Sequence, residues 1–233
     1  TLVEIEERIL KRVAAKETSD YIRSLHFSNG VKIKEAIGLD KLEIVGEKVV
    51  SASLTDGSDV NVDFVIVGIG ITPNTELAEG ANIKINNGIL INEKCQTSVS
   101  NIYAAGDCTS FKYKNTLVRL ESVGNAIDQA TTVAQNIMKQ NTSYIPKPWF
   151  WSDQYDLKLQ IAGLNTGYDE VVVRKGGGKQ VSHWYYKGES LLAVDALNDP
   201  RCYMIGKRLI EANKSPSKNQ LRDENFNLKV LLK

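Results

Sequence analysis

The Gly106-Asp107 pair is the part of this sequence best suited to binding a ligand. It follows an apolar stretch at residues 101–105, which we predict to be a buried strand running into the pair. The pair then lies at the carboxyl edge of a parallel sheet, where doubly wound folds bind their ligands. Gly106 lets a ligand approach the backbone, and the Asp107 carboxylate can accept hydrogen bonds from a polyol or a ribose. The structural alternative is an aspartate that only begins a turn.

A long amphipathic helix is predicted to begin near Ser122. Its apolar residues recur at helical spacing, namely Val123, Ala126, Ile127, Ala130, Val133, Ala134, Ile137 and Met138. The N-terminus of such a helix leaves backbone N–H groups unpaired and carries about half a positive charge, which suits an anionic group. Every helix has such an end, so this feature gains weight only beside other binding residues.

Glu4 closes a short apolar run at the start of the chain. The first residue is Thr, and the run resembles the end of a strand whose beginning lies upstream, so we expect a C-terminal part of a longer protein. An acid at the end of the second strand of a dinucleotide fold holds the adenosine ribose hydroxyl and repels a 2′-phosphate, which favours NADH over NADPH. Arg8 weakens this preference, because guanidinium groups also bind phosphates.

Two tryptophans mark the start of a third region of the chain. Trp149 and Trp151 alternate around Phe150, so both can project to one side and stack on a planar ring. The alternative is that these aromatic side chains pack at a domain boundary, but the polar residues 152–154 favour a ligand-binding site. The linker before them begins at Tyr144. From residue 145 onward Lys and Arg number 14 against 10 acids, so this region is mildly basic.

The other candidate groups have ordinary structural explanations. His26 and His183 have no nucleophile or ligand-like residues beside them, so we expect surface or hydrogen-bonded histidines. Cys108 follows Asp107, but a small buried apolar side chain is its default role. With Cys95 and Cys202, the cysteines are too few and too scattered for a disulfide framework or a CxxC redox pair.

Composition excludes several classes of protein. The chain has 233 residues with 29 Lys and Arg against 28 Asp and Glu, and this balance argues against a nucleic-acid partner. A hydrophobic content of 42% argues against disorder. No apolar run approaches the roughly 18 residues that a membrane-spanning helix needs, and no secretory signal is present. We therefore expect a soluble cytoplasmic protein with no membrane partner.

The supporting elements are predicted from periodicity and turn residues. Thr18 or Ser19 is expected to cap a helix that ends at Asn29-Gly30. Residues 31–63 are expected to form an antiparallel meander with a turn at Asp56-Gly57. A helix is expected from Pro200 to Ile210, with Met204, Ile205, Leu209 and Ile210 inside. Strands are expected at residues 64–67, buried on both faces, and at 88–91, 159–162, 170–174, 181–186 and 191–197.

Together these segments resemble the flavoprotein reductases of ferredoxin- and rubredoxin-linked systems, whose wider relatives include apoptosis-inducing factor. The Gly-Asp pattern alone indicates the broad class of flavoproteins with two dinucleotide-binding domains. The WFWSDQ segment, preceded by RLES and followed by a small mixed domain, points to the reductase branch. The resemblance is carried by TLVEIEERIL at 1–10, VGIGITPN at 67–74, TSVSNIYAAGD at 97–107, VRLESVGNAIDQA at 118–130 and PWFWSDQYDLKLQIAG at 148–163.

The resemblance implies an FAD site. Asp107, with Gly106, is expected to bind the ribityl or pyrophosphate region of FAD. The backbone at Ser122 and Val123 is expected to meet the isoalloxazine, and Trp151 to stack beside it. No catalytic side chain and no metal ligand are implied.

The resemblance also implies an NAD site and an electron acceptor. Glu121 and Gly70 are expected near the nicotinamide nucleotide, and Glu4 at its adenosine ribose. The implied reaction passes electrons from NADH through FAD to a small [2Fe-2S] ferredoxin or a rubredoxin, for an oxygenase system. Partner ferredoxins are commonly acidic, which suits the mildly basic third region. The resemblance leaves the acceptor's identity and the oligomeric state open.

The implied fold is α/β, with the C-terminal portions of two Rossmann-like FAD/NAD-binding domains followed by a small mixed α+β domain. The corresponding boundaries are residues 1–74, 75–144 and 145–233. The family's two Gly-rich fingerprints, for FAD and for NAD, are not in this sequence. This departure puts tight FAD binding by the chain alone in question.

Two alternative functions stay open at this point. A pyridine-nucleotide disulfide reductase shares the nucleotide domains, but it uses a redox cysteine pair and a C-terminal histidine beside a glutamate. His183 has no such partner in the sequence. The second alternative is an NADH-sensing flavoprotein of the apoptosis-inducing-factor type, which rapid reduction of a ferredoxin would exclude as the main role.

Overall fold

The computed structural model describes residues 1–114 and 116–232. The helices are α1 (Lys16–Ser28), α2 (Glu76–Gly80), α3 (Val123–Ile137), α4 (Pro200–Glu211) and α5 (Lys218–Arg222), with a final 3-10 helix at Leu228–Leu232. The first eight strands are β1 (Leu2–Glu4), β2 (Ile33–Glu35), β3 (Leu39–Val45), β4 (Lys48–Leu54), β5 (Asp59–Asn61), β6 (Ile89–Leu90), β7 (Thr109–Tyr113) and β8 (Thr116–Val118). The last five are β9 (Trp149–Gln154), β10 (Leu157–Gly163), β11 (Glu170–Lys175), β12 (Val181–Lys187) and β13 (Ser190–Leu197). Within these ranges, no helix has the length and apolar character needed to cross a membrane.

The first part of the chain contains two small sheets and helix α1. Strands β1 and β2 pair in parallel, and β3, β4 and β5 form the predicted antiparallel meander. Helix α1 ends at the predicted Asn29, but the predicted cap is wrong: Ala15 is the N-cap, and no side chain caps the helix. Thr18 and Ser19 lie inside the first turn and are fully buried, where their hydroxyls bond to other parts of the chain.

Two predicted strands are absent from the described structure. Residues 64–67 are extended but belong to no sheet, and Ile66 is 85% exposed, so the prediction of a strand buried on both faces is wrong. Residues 101–105 contribute only the isolated bridge between Gln96 and Tyr103. A β-strand needs a neighbouring strand to satisfy its backbone groups, and no strand in the described ranges lies beside either segment.

Helix α3 forms where it is predicted, but its buried face is polar. Asn125, Gln129, Thr132 and Asn136 are its buried residues, and they recur at helical spacing. The apolar stripe faces outward, as Ile127 shows with 60% of its surface exposed. The helical period is therefore confirmed, while most of the apolar side chains that carry it are exposed in the described structure.

The last part of the chain is a five-stranded antiparallel sheet in the order β11-β12-β13-β10-β9. Its four predicted strands and helix α4 are confirmed, whereas the edge strand β9 was not predicted. One face packs on α4 through Trp184, Tyr186, Val194, Ile205 and Leu209. Met204 is 45% exposed, so its predicted place inside is wrong.

The opposite face of this sheet packs against helix α1. Leu157, Leu159 and Leu197 form one cluster with Ile9 and Ile22 from the start of the chain. The sheet therefore joins the N-terminal segment to the C-terminal region through a continuous apolar contact.

Candidate functional site

Gly106-Asp107 forms a turn that packs on helix α3. Gly106 has a φ of +91°, which favours glycine, and a Cβ placed there would lie 3.7 Å from the Cβ of Ala126. Its backbone N–H donates to Oε1 of Gln129 at 2.7 Å, while its carbonyl accepts from the hydroxyl of Thr109 at 2.8 Å. The turn leads into β7 and does not follow a strand. The Asp107 side chain is exposed beside the first turns of α3.

Arg119, which was not among the predicted site residues, connects this turn to Glu121. Its Nη1 atom donates to the Asp107 carbonyl at 3.4 Å and lies 2.7 Å from Oε1 of Glu121. Its Nε is buried and has no hydrogen-bond partner in the described ranges. A guanidinium with an unused buried donor, next to an exposed carboxylate, is equipped to bind a further polar or anionic group.

The N-terminus of α3 keeps its backbone donors free of side-chain caps. Ser122 is the N-cap, but its hydroxyl donates to the carbonyl of Trp149 at 2.9 Å and does not cap the helix. Val123 follows it, with most of its side chain exposed. Asn125 donates to the Leu120 carbonyl at 3.1 Å, which ties the first turn of the helix to the segment before it. The helix end is thus fixed in place while its first N–H groups point outward.

Tyr144 supports this helix end from inside the protein. Its hydroxyl donates to Oδ1 of Asn125 at 2.6 Å, and its ring packs edge-on against Phe111. Burial raises the pKa of Tyr144, so it stays a neutral hydrogen-bond donor. The tyrosine therefore fixes Asn125 without introducing charge near the helix N-terminus.

Trp149 and Trp151 cover the same helix end. Their rings stack with centroids 5.3 Å apart and planes at 24°, which confirms the predicted projection to one side of β9. A Cβ on Gly124 would lie 2.2 Å from Nε1 of Trp149, so the indole occupies the space of any side chain there. Trp151 is 50% exposed and presents an open ring face beside the site.

Glu4 and Gly70 make up a second group, defined by their predicted role toward the nucleotide, and no hydrogen bond or ion pair joins them within the described residues. Oε1 of Glu4 accepts from the backbone N–H of Glu6 at 2.9 Å, which leaves its other oxygen available. Arg8 donates to the Ala14 carbonyl at 2.8 Å and to the Ser19 hydroxyl, so its guanidinium is committed within the fold. Arg12 was not predicted, but its Nη1 lies 3.7 Å from where a Cβ of Gly70 would be.

The structure therefore separates the predicted residues into two groups. The first contains Asp107, Gly106, Glu121, Ser122, Val123 and Trp151, which meet through Arg119, Gln129 and Trp149. Their roles toward ligands stay predictions. No cluster of metal-ligating residues occurs in the described part of the chain, and all three cysteines are free.

Comparison with known proteins gives matches to two family models. The model described as pyridine nucleotide-disulphide oxidoreductase matches residues 1–130. The model described as reductase C-terminal matches residues 149–232. The two matches include both groups of predicted site residues, and the second begins at the first of the two stacked tryptophans.

Individual relatives match along nearly the whole chain. Rhodocoxin reductase of Rhodococcus erythropolis is 35% identical over 235 residues, covering 100% of this chain and 55% of the relative. The ferredoxin reductase for the CYP199A2 system of Rhodopseudomonas palustris superposes with a TM-score of 0.96 at 34% identity, covering 99% of this chain and 58% of that one. A covalent putidaredoxin reductase–putidaredoxin complex gives 0.94 at 36% identity, covering 99% of this chain and 57% of that one.

These superpositions confirm the predicted α/β fold class, with dinucleotide-binding portions followed by a mixed C-terminal domain. The chain spans somewhat more than half the length of the relatives it matches, 55% to 58% for the three described above.

Proposed function

The chain belongs to the pyridine nucleotide-disulphide oxidoreductase family, in its ferredoxin and rubredoxin reductase branch, and we propose that it functions in an NADH-dependent flavoprotein reductase. One observation carries this proposal: an uncapped helix end, a left-handed Gly-Asp turn and an exposed tryptophan meet at one place. FAD, when bound, accepts a hydride from NADH and releases electrons singly to an iron–sulfur protein. We further propose a cytoplasmic location.

The residues of the first group fit FAD. The Asp107 carboxylate can accept hydrogen bonds from ribityl or ribose hydroxyls, and the free Nε of Arg119 supplies a donor beside it. The N–H groups after Ser122 offer partial positive charge to the pyrimidine edge of a flavin. Trp151 supplies a ring face for stacking. These residues bind and orient the cofactor and add no acid or base of their own.

Glu4 and Gly70 are proposed to contact NADH, with Glu121 near its nicotinamide end. The free oxygen of Glu4 can bind the adenosine ribose hydroxyl, and its charge disfavours a 2′-phosphate. Arg8 does not offset this charge toward a ligand, because it is held by the Ala14 carbonyl and the Ser19 hydroxyl. This arrangement supports the preference for NADH over NADPH. The division at residues 1–74, 75–144 and 145–233 is part of the same proposal.

The cysteines favour this function over a disulfide reductase. Burial raises the pKa of Cys95 to about 11 and that of Cys202 to about 12. Thiolate nucleophiles need a depressed pKa, so neither residue is suited to thiol exchange. Cys108 forms no disulfide with Cys95 or Cys202 in the described structure.

Replacing Asp107 with alanine should weaken FAD binding about tenfold, because hydrogen bonds to a charged group contribute roughly 1.5–3 kcal/mol. We would titrate FAD into the flavin-free protein and follow the visible spectrum, then add NADH anaerobically and record bleaching. Asp63→Ala is the control, since Asp63 is exposed and outside the group. Equal FAD affinity in the Asp107→Ala variant and the wild type would contradict the assignment. Failure of the full-length enzyme to bind FAD would contradict the function itself.

The electron acceptor is proposed to dock beside a basic groove. The groove has a volume of about 310 Å³ and lies between the β7–β8 hairpin and α4. Its lining includes Lys112, Lys114, Lys147 and Lys207, one acid, Glu211, which pairs with Lys207, and the apolar Ile145 and Ile210. The positive charge and the apolar floor suit an acidic iron–sulfur protein. One related reductase has been solved in covalent complex with putidaredoxin, which supports a partner of this class.

Reversing two of these charges, with Lys114→Glu and Lys147→Glu together, should raise KM for the iron–sulfur acceptor roughly tenfold, because it removes electrostatic steering. Reduction of an uncharged small quinone by NADH should be unchanged. The matched control is Lys48→Glu with Lys84→Glu, which makes the same change in net charge at exposed positions outside the groove. If both double variants raise KM equally, overall charge and not this groove governs docking.

A further inference from the structure

A cluster of buried polar side chains connects helix α1 to the opposite end of the chain. It contains Thr18 of α1, His183 and Tyr185 of β12, and Asp195 of β13, all of them buried. His183 and Asp195 are direct partners across the β12–β13 pair. The backbone of Ala15, the N-cap of α1, also takes part. None of these residues belongs to either group of proposed cofactor residues.

Two hydroxyl groups of the cluster donate to the same carboxylate oxygen, and each hydroxyl accepts one further hydrogen bond. Thr18 donates its single hydroxyl proton to Oδ2 of Asp195 at 2.7 Å, and Tyr185 donates to the same atom. The Thr18 oxygen is then free only to accept, so Nδ1 of His183, 2.7 Å away, is the donor. In the same way the Tyr185 oxygen accepts from the Ala15 N–H at 2.9 Å.

This order of donors fixes the geometry of the contact. Each hydroxyl has one proton and one remaining acceptor position in use, so neither can rotate without losing two hydrogen bonds. Oδ1 of Asp195 is buried and has no partner in the described ranges. Burying these groups is unfavourable unless they are paired, so displacement of α1 by a few ångströms exposes several unpaired polar atoms.

The cluster lies at the end of the loop that follows Glu4. Residues 5–15 contain no helix or strand, so individual hydrogen bonds set their position. The first part is tied to β2 and the residue after it, because the Ile9 N–H donates to Oε1 of Glu35 at 2.7 Å and the Ala36 N–H donates to the Glu6 carbonyl at 2.8 Å. The last part is tied to the C-terminal region, because Asn165, in the loop after β10, donates to the Val13 carbonyl at 2.9 Å and Tyr185 of β12 accepts from the Ala15 N–H.

We propose that this cluster is a positioning device, by which the C-terminal sheet holds the loop at residues 5–15, which follows Glu4 and contains Arg12, in the place where the nucleotide binds. The proposal rests on the proposed NADH site for its functional part. It makes the C-terminal domain a determinant of nucleotide affinity, in addition to any contact with the electron acceptor. Thr18, Tyr185, His183 and Asp195 act through the loop and do not touch the nucleotide.

Two neighbouring tyrosines give a matched test. Tyr185 and Tyr186 are both fully buried on β12 and face opposite sides of the sheet. The hydroxyl of Tyr186 donates to the Pro216 carbonyl at 2.7 Å, far in sequence from the loop. Tyr185→Phe and Tyr186→Phe therefore remove the same atom from the same strand, but only Tyr185→Phe removes a contact with the loop.

Hydrogen exchange of the backbone amides at residues 5–16 measures the positioning directly. In Tyr185→Phe we expect these amides to exchange at least tenfold faster, while the amides of β10 and β13 stay protected. In the holoenzyme we expect KM for NADH to rise several-fold with kcat unchanged. Thr18→Val, which keeps the side-chain shape, should reproduce both effects, and Tyr186→Phe should show neither.

The outcomes separate this proposal from the proposed function. Equal exchange at residues 5–16 in Tyr185→Phe and Tyr186→Phe overturns the positioning role. Faster exchange with an unchanged KM for NADH overturns the link to the nucleotide. A wild-type holoenzyme that does not oxidise NADH contradicts the proposed function, and the exchange measurement still decides whether the cluster holds the loop.

Discussion

Replacing Arg174 with methionine should lower the free energy of unfolding by about 3–5 kcal/mol, the largest effect we expect from a single substitution. Arg174 lies on β11 and is only 8% exposed. Its Nη1 and Nη2 atoms donate to the carbonyls of Gln220, Leu221, Asp223, Glu224 and Phe226, at distances between 2.6 and 3.4 Å. Methionine fills similar space but leaves these carbonyls without their donor.

The loss should be concentrated in the C-terminal segment. Leu221 and Leu228 pack into the core beneath this segment, so releasing it also exposes apolar surface. Urea denaturation gives the change in stability, and limited proteolysis after residue 217 reports local release. Arg222→Met is the control, because Arg222 is half exposed and contacts Glu170. A shift for Arg174→Met no larger than that of Arg222→Met would contradict the prediction.

Arg174 also shows what the sequence could not reveal. The apolar run at residues 171–173, next to the glycine turn at residues 176–178, predicted its strand. A local pattern of this kind says nothing about which distant carbonyls a buried guanidinium will meet. The partners of Arg174 lie 46 to 52 positions further along the chain, beyond the reach of local periodicity.

The wrong prediction for residues 64–67 and the polar burial of α3 both show the limit of apolar patterns. Continuous or periodic apolar residues indicate where a neighbouring element would pack but do not supply it. In the structure Ile66 and Ile127 are exposed, and the polar residues of α3 are buried against the Gly106 turn and Tyr144.

The site was predicted where its residues are close in sequence. Gly106, Asp107 and Ser122 lie within one short segment, and the family resemblance covered all of it. Arg119 was missed because its contacts with Asp107 and Glu121 depend on how the Gly106-Asp107 turn lies beside the segment before α3. The contact of Trp149 with Gly124 was missed because it depends on how β9 lies across the start of α3. Thr18 was predicted as a cap because hydroxyl residues favour that position, but tertiary hydrogen bonds placed it in the buried cluster.

Removing His183 or Asp195 should change the pH dependence of stability in opposite directions. Burial lowers the pKa of His183 to about 4, from 6.5. Burial also raises the pKa of Asp195 to about 6, from 3.8, although the Tyr185 and Thr18 hydroxyls act to lower it. Their partners on the adjacent strands, Val173 beside His183 and Ile161 beside Asp195, carry no charge. Both buried groups therefore favour the neutral form.

The direction of each pKa shift decides how the free energy of unfolding depends on pH. The contribution of His183 to the free energy of unfolding is complete above pH 6.5 and is lost as the pH falls to about 4. The contribution of Asp195 to the same quantity is complete below pH 3.8 and is lost as the pH rises through about 6. Each amounts to at most about 3 kcal/mol, since one pKa unit corresponds to about 1.4 kcal/mol. In the wild type the two slopes oppose each other between pH 4 and pH 6.

Single variants should reveal how each residue alone makes the free energy of unfolding depend on pH. Relative to wild type, Asp195→Asn should lose stability as the pH falls from 6 to 4, because the histidine contribution is then unopposed. His183→Gln should show the reverse and lose stability relative to wild type as the pH rises from 4 to 6. Urea denaturation at several pH values measures both differences. Parallel curves for the two variants would mean that these groups do not titrate within the fold, and the hydrogen-bonded cluster would then keep one protonation state throughout this range.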